Sequence, residues 1–171
     1  GFKMTIHGPN DRYINDAKIA EALAQMLNRV GIEASVETMP KAVYFKRASR
    51  GGPNKSPEFS FMLLGWGAGS GEASSPLKAL LHTYDKSKGL GAANRGRHSD
   101  AEVDKLVKQA LATVDADARG ALLAKATEKA VGENYGVIPM HYQVNTWAAK
   151  AGYKYLPRTD ERTIVTGLAN N

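Results

Sequence analysis

The chain has no cysteine among its 171 residues, which excludes disulfide frameworks, thiolate metal sites and cysteine nucleophiles. That absence suits an oxidising or a reducing compartment equally. Long hydrophobic runs are missing too: the longest apolar stretch, Phe59 to Gly67, is far short of the ~20 residues of a membrane-spanning helix. No membrane span is expected. Nor does the chain open on a basic leader with an apolar core and cleavage site, because Gly1 runs directly into strand-like sequence. The expectation is a processed chain or a piece of a longer one. Acidic residues are absent between Glu37 and Glu58, where Lys41, Lys46, Arg47, Arg50 and Lys55 fall. With 23 Lys and Arg against 17 Asp and Glu, a formal charge of +6, this run raises the question of nucleic acid. Only Tyr44 and Phe45 accompany it as aromatics, and a solvated helix and loop explain it more simply. No nucleic-acid partner is expected.

What is present is an ordinary folding composition, 43% hydrophobic and 23% charged, over a length that suits one compact domain, residues 1–171. Phe2, Met4 and Ile6 alternate with polar residues as a half-buried strand does, and Gly8-Pro9-Asn10-Asp11 breaks it. Ile19, Leu23, Met26, Leu27 and Val30 form a helical stripe ended by Gly31. Ile32, Ala34, Val36 and Thr38 give a second strand, so the two are expected to be parallel across a helical crossover. Pro40 introduces a helix over 42–49, and Gly51 to Asn54 end it. The continuous apolar run 59–64 reads as a strand covered on both faces, at the centre of the sheet.

Four glycines in Gly65-Trp-Gly-Ala-Gly-Ser-Gly71 require a loop. Beyond it, Ser74 or Ser75 with Pro76 starts a short helix through Leu81, and Ser99 with Glu102 forms a capping box. Val103, Leu106, Val107, Ala110, Leu111 and Val114 face the core from that helix. Asp115 caps another helix, whose Leu122, Leu123, Ala126 and Ala130 point inward. Residues 137–142 and 144–149 read as closing strands, with Pro139 favouring an edge or bulged position. The fold class is therefore α/β, a mixed sheet with flanking helices.

The glycine loop follows a buried strand, at the strand end where α/β sheets commonly hold ligands. It lacks both the phosphate-loop and the dinucleotide glycine patterns, which leaves a flexible turn with Trp66 folded into the core, or a ligand wall built on the Trp66 ring. Ser70 sits in Gly-Ser-Gly without the glycine spacing of a nucleophile elbow, so a hydrolase or transferase using Ser70 with His82 or His98 stands only as an alternative. The four histidines have no metal-ligand spacing, and neither metal nor cofactor is expected. Asn94-Arg95-Gly96-Arg97 offers guanidinium groups for an anion or simply for solvent.

Several segments together carry a resemblance: Phe2-Lys-Met-Thr-Ile with the helix ending Gln25-Met-Leu-Asn-Arg-Val-Gly-Ile32, then Phe61-Met-Leu-Leu-Gly-Trp-Gly67, Ala93-Asn-Arg-Gly-Arg-His-Ser-Asp-Ala-Glu-Val-Asp104, Asp115-Ala-Asp-Ala-Arg119 and Ile138-Pro-Met-His-Tyr-Gln-Val144. In this order they resemble the carboxy-terminal lobe of family 5, dipeptide/oligopeptide-type, extracellular solute-binding proteins of ABC importers. The resemblance implies one lobe of a type II periplasmic-binding-protein-like fold, the amino-terminal lobe lying elsewhere in a longer chain. It also implies a periplasmic location, ABC permease subunits as partners, and capture of a peptide or other small solute without catalysis. Contacts from this lobe would come from Trp66, Gly67, Gly69, Ser70 and Glu72, from Asn94 and Arg95, and from Tyr142 and Gln143. Peptide-binding members often carry aspartate at the fifth position of Gly-Trp-x-x-Asp, where it pairs with the ligand ammonium. Here that position is Gly69, and Glu72 is the nearest carboxylate in the loop. Sugars, opines, metal chelates and haem are other ligands of the family.

Overall fold

The computed structural model describes residues 1–158, 160 and 162–170. Strand β1 (Lys3–Pro9) and strand β2 (Glu33–Met39) are joined by helix α1 (Asp16–Arg29) and pair in parallel, Lys3 opposite Glu33 through Pro9 opposite Met39. The parallel crossover unit expected from the alternation is thus present. Helix α1 ends as its sequence requires: Gly31 takes a left-handed φ of 87°, its N–H donates to Asn28 O, and Ile32 N–H donates to Leu27 O. These two bonds satisfy carbonyls that the last turn would leave unpaired.

The buried face of α1 differs from the expected stripe. Ala20 and Ala24 are its buried apolar positions and Leu23 and Leu27 flank them, while Met26 and Val30 are exposed. Small residues let the helix approach the sheet closely enough for Ala20 Cβ to face Gly8. The longer side chains then fall at the rim.

Helix α2 (Lys41–Arg50) covers the other face of the sheet, burying Tyr44 and Ala48 with Met39 and Phe59. Tyr44 Oη donates to Leu63 O at 2.7 Å, a buried bond that ties the helix to the segment expected to be the central strand. That segment is not central among the described residues. It meets β1 at a single bridge, His7 opposite Met62, with His7 N–H donating to Phe61 O and Leu63 N–H to His7 O. β1 therefore lies between β2 and the 59–64 run, whose outer edge is unpaired here.

A second layer is helical. A short helix, α3 (Ser74–Pro76), continues as a wider turn over Leu77–Leu81. Helices α4 (Ala101–Ala112) and α5 (Ala116–Thr127) pack on it around Leu77, Leu81, Val103, Val107, Ala110, Leu123, Ala126 and Ala130. Asp115 caps α5 by accepting from Ala118 N–H at 2.8 Å. The α4 cap is Asp100, one residue beyond the expected Ser99. Its carboxylate accepts from Glu102 and Val103 N–H at 2.9 Å, and Ser99 instead pairs with Thr83. One oxygen of Asp100, Oδ1, accepts both amides while Oδ2 accepts from Asn134 Nδ2 at 2.9 Å, so the acid also ties the start of α4 to residue 134.

Residues 137–149 form no regular element and, among the described residues, join no strand, so the two closing strands expected there are not formed. They lead to a small antiparallel pair that the sequence reading did not anticipate, β3 (Tyr153–Tyr155) with β4 (Leu168–Asn170). No helix among the described residues is long and apolar enough to cross a membrane.

Candidate functional site

Because β1, β2 and the 59–64 run are parallel, their carboxyl ends share one edge of the sheet, and the loops that leave them meet there. Asn10 N–H donates to Met39 O at 3.0 Å, and Lys41 N–H donates to Asp11 Oδ1 at 2.6 Å, which joins the first loop to the second. The first loop is shaped from inside by Asp16, a buried carboxylate that accepts from Arg12 and Tyr13 N–H at 2.9 and 3.0 Å. Anchored in this way, Tyr13 reaches the glycine loop and its hydroxyl donates to Gly65 O at 3.2 Å. The contact also explains one of the glycines. A Cβ on Gly65 would lie 2.6 Å from Tyr13 Cε1, closer than a rigid ring edge permits.

The far end of the glycine loop is fastened as well. Glu72 accepts from the Ser74 and Ser70 hydroxyls and from Arg119 Nε at 3.3 Å. The Ser74 hydrogen bond, and after it the Arg119 guanidinium, hold the Glu72 carboxyl below the usual glutamate range. A carboxylate so engaged is a strut between the loop and α5, not a free anion for a solute. Between the two anchors, Gly67 and Gly69 border open space and Trp66 is 45% exposed. Trp66 is therefore not folded into the core.

The remaining expected residues separate. Gln143 joins the same neighbourhood, since its Oε1 accepts from Ile14 N–H at 3.4 Å, beside Tyr13. Tyr142 projects from that run and is 97% exposed. Asn94 does not face solvent: it is 3% exposed and donates to His82 O and His98 O while accepting from His98 N–H. Its amide is spent on holding the 82–98 loop, and this corrects its place among the contact residues. Arg95 is likewise engaged, with Nε on Ser49 Oγ at 3.1 Å and its guanidinium over the Phe45 ring. Ser70 bonds to Glu72 and not to a histidine. His82 Nδ1 and His98 Nδ1 lie on backbone carbonyls at 2.8 Å, so among the described residues neither of these histidines is hydrogen-bonded to Ser70 as a general base would be.

Two residues that the sequence reading passed over belong to this edge. Tyr13 packs on Gly65, and the exposed Arg12 holds its guanidinium 5.0 Å over the Tyr13 ring. Among the described ion pairs Arg12 has no carboxylate partner. The signal was the buried Asp16 four residues on, which fixes a loop that otherwise reads as a simple strand break. Two cavities, of about 460 and 470 Å³, lie elsewhere, around Trp147, Tyr153 and Tyr155. At the carboxyl edge Gly67, Gly69 and the Trp66 ring face open space.

No protein-family model and no curated protein matches the sequence. Solved structures do. HbpA2 from Haemophilus parasuis superposes with a TM-score of 0.76 at 20% identity, covering 100% of this chain and 32% of its own. OppA from Haemophilus influenzae, complexed with RPPGFSPFR, gives 0.69 at 26% identity over 90% of this chain and 27% of its own. The ABC transporter-associated periplasmic binding protein DppA from Helicobacter pylori, complexed with the peptide STSA, gives 0.65 at 24% over 80% and 24%. The chain thus has the α/β fold of one lobe of the periplasmic binding proteins, and it spans about a third or less of the length of these structures.

Proposed function

We propose that this chain is the carboxy-terminal lobe of a longer, two-lobed periplasmic receptor that captures a peptide or peptide-like solute and presents it to the permease of an ABC importer. The observation that carries this reading is the carboxyl edge of the sheet, where three loops are bonded to one another around an exposed indole. A wall of this kind binds through surface and fixed polar groups. Trp66 and Tyr13 supply rings, Gly67 and Gly69 let a ligand approach the backbone, and Arg12 offers a guanidinium to a carboxylate. Neither His82 nor His98 is bonded to Ser70 as a base, and the reading is binding without chemistry.

The exposure of these groups follows from the same reading. A clamp that closes by hinge motion has its pocket between two lobes, and each lobe alone presents a face and not a cavity. OppA and DppA, whose matched segments are a quarter or so of their chains, are complexed with peptides, and this supports a peptide-like solute here. The amino-terminal lobe and the permease are the partners implied.

Calorimetry of the full-length receptor and of residues 1–171 alone against a pool of short peptides tests the proposal. The receptor is expected to bind, Trp66→Ala to weaken binding by about tenfold or more, a loss of ~1.4 kcal/mol, and the isolated chain to bind at least about a hundredfold more weakly. Micromolar binding by the isolated chain would show that one wall suffices and would overturn the clamp.

A further inference from the structure

The charge of the molecule is sorted along the chain. Residues 38–98 hold ten Lys and Arg against three carboxylates, a balance of +7, whereas the remainder holds thirteen against fourteen. All of the net +6 therefore resides in this one segment.

The fold then sorts it again, around α2. Tyr44 and Ala48 point inward. On one flank Arg47 lies between two glutamates, with Nη1 on Glu37 at 2.6 Å and Nε on Glu58 at 3.0 Å, and it covers the Phe59 ring. Glu58 is the only acid between Thr38 and Gly71, and both it and Glu37 are engaged by Arg47 on this flank. The outward face is left to Lys46 and Arg50, one helical turn apart and both exposed, with Lys55 exposed just beyond the helix end. The opposite flank gains a further cation: Arg95 bonds to Ser49 and lies over Phe45, which docks the 94–97 loop, with exposed Arg97, beside the helix.

We propose that this face, Lys46, Arg50, Lys55 and the docked Arg95–Arg97 loop, is a contact surface for an anionic phospholipid membrane. The state of its rings selects this partner over nucleic acid. The surface is the outward side of a ten-residue helix with a loop docked against one flank. The aromatics near it have their faces engaged: Tyr44 is buried, Phe45 lies beneath Arg95, and the exposed Tyr84 ring lies beneath Arg97 at 4.0 Å. Flexible cations on an outward face instead match a planar sheet of phosphates, where each contributes attraction that salt screens. Lys46, Arg50 and Lys55 lie toward and beyond the carboxyl end of α2, whereas the loop carrying Arg12 meets the helix's first residue, Lys41, through Asp11.

Vesicle co-sedimentation of the full chain reads this out. The chain is expected to pellet at about 20 mM salt with phosphatidylcholine vesicles containing about one-third phosphatidylglycerol, to stay in solution with phosphatidylcholine alone, and to be released at about 200 mM salt. Replacing Lys46, Arg50 and Lys55 together by glutamine is expected to weaken binding by on the order of a hundredfold, at about fivefold per cation. Circular dichroism should show the variant folded, since all three sites are exposed. Equal pelleting of the triple variant, or none by the parent chain, overturns the proposal. So does tighter binding to a short DNA duplex than to the anionic vesicles under the same salt, which would assign the face to nucleic acid.

Discussion

Helix α4 and the run 137–149 carry comparable apolar patterns and meet opposite fates. In α4, Val103, Val107 and Ala110 recur at helical spacing and are fully buried against α5 and the turn at Leu77–Leu81. In the 137–149 run, Ile138, Met140, Tyr142 and Val144 recur at every second residue, as on a strand with one covered face, yet all are exposed and Val144 is 77% exposed. The odd positions Gln143, Asn145 and Trp147 are half-buried. An amphipathic pattern records that a face is meant to be covered; it does not say by what. The α4 face finds its cover within the chain, and the 137–149 run does not, which accords with the proposal that a further lobe supplies it.

The sharpest way to break this comparison is to place a charge in each face. Val103→Asp puts a carboxylate at a fully buried position of the α4–α5 contact, within a cluster of Leu, Val and Ala side chains. Burying an unpaired charge there is expected to cost more than ~4 kcal/mol and to unfold the chain. Val144→Asp, by contrast, is expected to change stability by less than ~0.5 kcal/mol in residues 1–171. Urea titration of the two variants decides it. A large loss for Val144→Asp would mean that the run is already packed within this chain.

A smaller effect sharpens the picture on the sheet side. The Tyr44 hydroxyl is the buried link between α2 and the 59–64 run, and burial pushes its phenol above the usual tyrosine value. Tyr44→Phe keeps the ring packed between Phe45 and Phe59 and leaves Leu63 O without its donor. The expected loss is about 1–3 kcal/mol in the urea midpoint at constant slope. An unchanged midpoint would show that the third segment is held by β1 alone.

How much of this was readable beforehand divides along the same line. The parallel crossover, α2, both long helices and the Asp115 cap followed from periodicity and capping chemistry, which are local and strong. The exposed indole on a glycine loop was also visible, as one of two readings. What escaped depended on contacts distant in sequence. Tyr13 meets Gly65 only because two strand ends share an edge, Asn94 is buried by carbonyls it had no way to announce, and β3–β4 forms from two three-residue pieces too short to show a period. The central place given to 59–64 failed for a related reason, since an apolar run shows that a strand is covered but not which neighbours pair with it.

The weakest expected effect tests whether the glycine loop is truly anchored at both ends. Glu72 is held below the usual glutamate range by the Ser74 hydroxyl first and Arg119 next, so its contribution is complete above the ordinary value of ~4.3 and is lost as pH falls through the lowered one. Trp66 lies between the anchors, and in a Trp147→Phe background it is the sole indole. Its emission is therefore expected to be flat from neutral pH down to ~4.3 and to shift only below that, as the loop loses its strut to α5. Glu72→Gln should emit at neutral pH as the released loop does and show no acid step of its own. A step in the parent at or above ~4.3, or the same step in Glu72→Gln, would assign the titration to another group. The loop would then be held by Tyr13 at Gly65 alone, leaving the indole on a tethered flap and not on a fixed wall.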